Sequence, residues 1–210
     1  MAAPNPANPA PETGTSLVPT APYSDVRALR REAPEVSYRD DARANFMDGD
    51  VLCFRGKGLS SFAIRTATSS DYSHCGLAYR FEDRVYCLEA LGAHGVRLAL
   101  MSVLVDHYKG GIDYFHLEGA TAAERKAAIG FAFQQLGKVY DHAGIMRFAQ
   151  AILFKKKTFV LEDEEWFCSE LIAAAYEHAE RPIVKLQAAY TSPADLVASR
   201  QLTFQASLKP

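Results

Sequence analysis

The chain of 210 residues lacks a charge excess of either sign: 23 Lys and Arg stand against 25 Asp and Glu, a formal net charge of −2. With no basic field to hold phosphates, nucleic acid is not an expected partner. No apolar run nears the roughly 20 residues that cross a bilayer, so no transmembrane segment is expected. Residues 1–22 have no basic start followed by an apolar stretch, so no secretory leader is expected. The four cysteines, Cys53, Cys75, Cys87 and Cys168, include no CxxC pair. Scattered free thiols suit a reducing compartment, and the expected location is the cytoplasm. Internal repeats are absent too.

What is present is 49% apolar residues, enough for one good core. Residues 1–34 read as a disordered Pro- and Ala-rich tail with a short helix near 25–31, and residues 35–210 as one domain. The Asp48-Gly49 turn leads into a strand at 50–54, followed by a Gly56-Lys57-Gly58 loop and a helix near 59–67. Strands follow at 72–81, 84–90, 95–98 and 112–117, with a helix at 101–107. Thr121-Ala122-Ala123-Glu124 is a capping box that opens a helix ending at Gly137. Residues 143–153 read as helix and 155–165 as a charged connection. Ser192-Pro193 caps a last helix to about residue 199.

Cys168 stands where a thiol is most easily activated. After Trp166-Phe167, the residues Leu171, Ile172, Ala175 and Tyr176 recur at the spacing of one helical face. A cysteine at that helix start feels unpaired backbone N–H groups and the positive end of the helix dipole, which favour the thiolate. The acidic run Glu162-Asp163-Glu164-Glu165 works against it, but solvated charges are screened beyond about 8–10 Å.

A base for this thiol is found in the first hairpin. If Glu82-Asp83 is a two-residue loop, Phe81 faces Arg84 and, further up the ladder, Gly76 faces Glu89. His74 then shares a face with Gly76 and is a diagonal neighbour of Glu89, about 7–8 Å away at the backbone. Gly76 leaves open space between them. A slip of one residue would put the pair on opposite faces.

Several segments resemble the permuted papain-like amidases of the NlpC-type cysteine peptidase superfamily. They are Asp48–Gly56, Tyr72–Leu77, Leu136–Asp141, Phe167–Ile172 and Thr191-Ser192-Pro193, in family order from about residue 46 to the C-terminus. The resemblance implies an α+β, permuted papain-like fold, a small antiparallel barrel-like sheet packed by helices. It implies Cys168 as nucleophile, His74 as base and Glu89 as the orienting acid. It puts Tyr72 and Tyr140 on the substrate side and calls for no metal or organic cofactor. The expected activity is hydrolysis of an amide bond in a peptide or cell-wall peptide. The alternatives are a lipid acyl hydrolase or acyltransferase on the same fold, and a binding module without turnover. Cys75 departs from the family, which more often has a hydrophobe there. Pointing to the opposite face from His74, it is expected to leave the triad undisturbed.

Each residue also has a plainer reading. Free cysteine is among the most buried residue types, and by local sequence alone Cys168 fits a core thiol equally well. Asp71, Asp141 and His142 compete with Glu89 for the third role. A zinc site from Cys75, Cys87 and His94 lacks ligand spacing. Gly56-Lys57-Gly58 is too short for a phosphate loop. Lys155-Lys156-Lys157 is most simply a solvated loop. Its apolar neighbours between 144 and 161 allow a second reading, a lid or weak membrane contact.

Overall fold

The computed structural model describes residues 30–31, 35–58, 61–62, 65–66, 70–92, 94–140 and 165–210. Seven strands form one sheet: β1 (Glu35–Ser37), β2 (Val51–Gly56), β3 (His74–Phe81), β4 (Arg84–Leu91), β5 (Gly95–Leu100), β6 (Gly110–Leu117) and β9 (Leu202–Lys209). Their order is β1-β9-β6-β2-β3-β4-β5, which leaves β1 and β5 at the edges. All neighbours are antiparallel except β1 and β9. Two short strands, β7 (Val139–Tyr140) and β8 (Glu165–Trp166), form a separate parallel pair. The helices are α1 (Met101–His107), α2 (Ala122–Gln134), α3 (Cys168–His178) and α4 (Pro193–Val197). This is the expected mixed α+β architecture.

The sheet is apolar on both faces because its strands alternate between two cores. Val51, Cys53, Cys75, Leu77, Leu88 and Phe115 face a core closed by α2, α3 and α4. Leu52, Phe54, Ala78, Cys87, Ile112 and Tyr114 face a second core closed by Tyr38, Phe46, Met101 and Val105. The central strand β2 is buried on both sides, which explains its near-continuous apolar sequence.

The hairpin register is the expected one: Phe81 pairs with Arg84 and Leu77 with Leu88. Glu82 takes the left-handed conformation (φ 53°) that this tight turn demands. The capping box is present, with Thr121 Oγ1 accepting the Glu124 N–H and Glu124 accepting the Thr121 N–H. Ser61, Phe62, Arg65 and Thr66 are helical, in line with the helix expected near 59–67. The readings of 143–153, 155–157 and 144–161 fall outside the described residues. Among the described residues no helix is long and apolar enough to cross a membrane.

The motif Asp48-Gly49-Asp50 joins sheet and helices. Asp50, fully buried, accepts hydrogen bonds from Tyr114 Oη (2.8 Å) and the Leu117 N–H (3.2 Å), and pairs with Arg125 of α2 at 2.8 Å and His116 at 3.1 Å. Tyr176 of α3 donates to the Gly49 carbonyl at 2.6 Å. Gly49 is required here: φ is 79°, and a Cβ would stand 2.1 Å from Tyr176 Oη.

Candidate active site

The hairpin register sets the first half of the site. His74 opens β3, and Glu89 lies one rung past the Leu77–Leu88 pair on β4. No side chain intervenes at Gly76, where a Cβ would stand 2.3 Å from Cys87 Sγ. The Glu89 carboxylate therefore reaches back along the ladder, and Oε2 lies 2.6 Å from His74 Nε2. Phe54 packs on the imidazole, ring centroids 5.1 Å apart.

Glu89 is 2% exposed and has a second partner that sequence reasoning missed. Arg97 of β5 is its directly paired residue across the strands. Arg97 Nε and Nη2 donate to Glu89 Oε1 at 2.9 and 2.7 Å. Burial pushes the Glu89 carboxyl up, but hydrogen bonds from His74 and Arg97 outweigh it and hold the group below the usual carboxylate range. Carrying the ladder logic from β4 into the strand expected at 95–98 would have found this pair.

Cys168 is the first residue of α3 and is 5% exposed. Its N–H lies in the first turn, where no helical carbonyl is available to it; the first helical bond runs from the Leu171 N–H to Phe167 O. The entry is braced on two sides. Glu170 accepts the Phe167 N–H at 3.4 Å, and the Ser169 hydroxyl donates to Thr191 O at 2.6 Å. That second bond links the Phe167–Ile172 segment to Thr191-Ser192-Pro193.

Cys168 and His74 lie close enough that each shifts the other's titration. With Nε2 committed to Glu89, Nδ1 is the nitrogen left for the sulfur. Burial lowers His74, but the Cys168 thiolate and then Glu89 outweigh it and push the imidazole up to about 10. A hydrogen bond from the Cys75 thiol leads in pulling Cys168 down. Burial opposes it, and His74 and the Cys75 N–H add to the pull, so Cys168 falls well below the ordinary thiol value. The favoured state is thiolate and imidazolium.

Cys75 points away from His74, as expected; α3 packs on the Cys75 face of the sheet, so alternation also brings Cys75 beside Cys168. The site straddles the start of β3, with His74 reaching Cys168 from one side and Cys75 from the other.

Tyr72, expected on the substrate side, is fully buried. Its hydroxyl donates to Asp113 at 2.6 Å and accepts from Arg30 at 3.2 Å. Its place is in a polar cluster of Arg30, Asp71, Arg55, Asp113 and Ser207. Arg30, 3.0 Å from Asp113, brings the last part of the expected tail against the domain. Asp71 pairs with Arg30 at 3.1 Å. Tyr140 pairs with Trp166 by backbone; its expected substrate contact, and the rivals Asp141 and His142, fall outside what is described. Among the described residues no group of three or more His, Cys, Asp and Glu could hold a metal ion, the Cys75, Cys87 and His94 set included.

Residues 45–201 match a family model described as permuted papain-like amidase enzyme, YaeF/YiiX, C92 family. The chain is 24% identical over 212 residues to the probable lipoprotein peptidase YaeF of Escherichia coli (strain K12), covering 84% of this chain and 76% of that protein. It is 27% identical over 133 residues to the uncharacterized protein YiiX of the same strain, covering 62% of this chain and 57% of that one. A crystal structure titled metalloprotein yiiX from Escherichia coli O157:H7 superposes with a TM-score of 0.61 at 23% identity, covering 78% of this chain and 98% of that one. That likeness is one of fold.

Proposed function

Because the chain belongs to the permuted papain-like amidase family, we propose that it is a cysteine hydrolase that cleaves an amide bond of a peptide through an acyl-enzyme. One observation carries this reading: Cys168, at a helix start, lies beside an imidazole whose far nitrogen is held 2.6 Å from Glu89. The Cys168 thiolate attacks the carbonyl carbon. The Cys168 N–H, which has no helical carbonyl to bond, stabilises the oxyanion. The tetrahedral intermediate collapses as the His74 imidazolium gives its proton to the leaving amine. His74, now neutral, takes a proton from water, whose oxygen attacks the thioester. Collapse of the second intermediate expels the Cys168 thiolate and frees the acid. Glu89 keeps the imidazole in place and steadies its charge. The peptidase name of the relative YaeF favours a peptide substrate over a lipid ester.

The test uses brief iodoacetamide exposure of the native chain with mass-spectrometric mapping, then a panel of peptide and lipid electrophiles with Cys168→Ala as control. Cys168 should label first, well below the free-thiol pKa of about 8.5. His74→Ala should abolish turnover and move labelling back toward that value. Glu89→Gln should lose activity by about 10–10³-fold, less than in a serine triad because the ion pair pre-exists in the ground state. Capture by lipid electrophiles alone would replace the peptide substrate. An inert Cys168 would identify a binding module instead.

A further inference from the structure

Resting on the reading of Cys168, His74 and Glu89 as the reacting set, we propose that Arg97 is a positioning residue of the same reaction, acting on His74 through Glu89. Two guanidinium N–H groups converge on Oε1 at 2.7 and 2.9 Å, which leaves Oε2 to the imidazole at 2.6 Å. The carboxylate is thereby fixed on both oxygens. Its charge is shared as well. A buried carboxylate facing an imidazolium alone would hold the proton tightly, and His74 must surrender that proton to the leaving amine. Arg97 draws part of the negative charge away from the imidazole. It also keeps Glu89 ionised at a site where burial favours the neutral acid.

Among the described residues, Glu89 is faced by His74 from β3, Arg97 from β5, Cys87 on its own strand with Sγ 3.9 Å from Oε2, and Tyr108 just after α1. Of these, Arg97 alone brings a guanidinium, whose fork of N–H groups donates twice to one carboxylate oxygen.

Arg97 sits on an edge strand, and the chain supplies a brace for that edge. The Val96 N–H donates to Lys138 O at 2.9 Å, and the Gly137 N–H donates to Val96 O at 2.9 Å. Gly95 makes the approach feasible, since a Cβ there would stand 2.2 Å from Lys138 O. The braced segment continues as β7, which pairs with β8, and β8 runs through Phe167 into Cys168. Residues 137–140, part of a motif with no reacting group of its own, thus steady both the strand that carries Arg97 and the chain that delivers Cys168.

The experiment is the pH profile of Cys168 alkylation by iodoacetamide in the full chain, with thermal melts as a folding check. Wild type should show two inflections, one where the ion pair forms and one where the imidazolium loses its proton. In Arg97→Met both should move to higher pH, the acid one by about one unit, because Glu89 loses two charge-assisted hydrogen bonds. The alkaline one rises because the carboxylate then holds the imidazolium unopposed. Glu89→Gln should move the alkaline inflection the other way. Arg97→Lys, which keeps the charge but not the fork, should recover at least half of each shift. Unmoved inflections in Arg97→Met overturn the proposal. So does collapse to one inflection near 8.5 that Arg97→Lys does not relieve, since that is mere loss of structure. A single inflection near 8.5 in wild type has a different meaning: the Cys168–His74 pair itself is absent, and the proposal falls with it.

Discussion

Burial pushes the thiols of Cys53, Cys75 and Cys87 well up, whereas Cys168, in the same core as two of them, is drawn down. The difference is made by donors. Cys168 is pulled down by the Cys75 thiol, the Cys75 N–H and the His74 imidazolium, whereas at Cys87 the pull of Arg97 is outweighed by burial and the Glu89 carboxylate. Cys75→Ala removes the thiol donor and keeps the backbone one. A hydrogen bond to a charged group is worth about 1.5–3 kcal/mol, so the acid inflection of Cys168 alkylation should rise by about one pH unit. Cys75→Ser, which restores a donor, should return most of that shift. An alanine variant with the wild-type profile would reduce Cys75 to packing. At this scale the hairpin ladder made the His74–Glu89 contact legible, and the helix-start pattern the place of Cys168. The neighbours Arg97 and Cys75 were not, because each meets its partner only once β5 and α3 are set beside β4 and β3.

Among the elements, α2 shows how a polar anchor fixes a helix that carries no reacting group. Arg125, 4% exposed, donates to Asp50 at 2.8 Å and to the Asp48 carbonyl at 2.7 Å. Removing one partner of a buried pair leaves the other charge stranded, at a cost of about 3–5 kcal/mol. Arg125→Met should therefore lower unfolding stability by that amount in chemical denaturation, while Cys168 in the folded fraction keeps its alkylation profile. A loss under about 1 kcal/mol would show that His116 and Tyr114 satisfy Asp50 without it. The Asp48-Gly49-Asp50 motif was read as a turn before a strand, which is correct locally. Its wider role as the joint of β2, β6, α2 and α3 needed the buried aspartate to be seen.

For the molecule as a whole, the ion pair shapes stability against pH. His74 is raised to about 10, so by itself it contributes stability that is complete below its unfolded pKa of about 6.5 and lost as pH rises through 10. Cys168 is lowered, so by itself it contributes stability that is complete above about 8.5 and lost as pH falls through its depressed value. Between about 6.5 and 8.5 the folded pair holds one proton, on the imidazole, and the unfolded pair also holds one, on the thiol. The slopes cancel there. The melting-temperature difference between wild type and a His74→Gln/Cys168→Ser double variant should be flat across that window and shrink on both sides. A steady slope through neutrality would mean that only one of the two groups is charged.

The sequence alone determined the hairpin and its register, because a two-residue turn between alternating strands admits one ladder in which both faces stay apolar. It also determined the helix start at Cys168 and the capped helices, because caps and periodicity act within a few residues. Tertiary structure decided the rest. The β9 strand, Leu202–Lys209, was not anticipated although its residues alternate, since only a free edge on β6 gives that alternation a place to pair. Tyr72 lies in the core because Asp113, 41 residues away, meets its hydroxyl. Alternation told which way Cys75 points; which helix covers it was set by packing between distant segments, while the Glu89–Arg97 pair follows from the β4–β5 register.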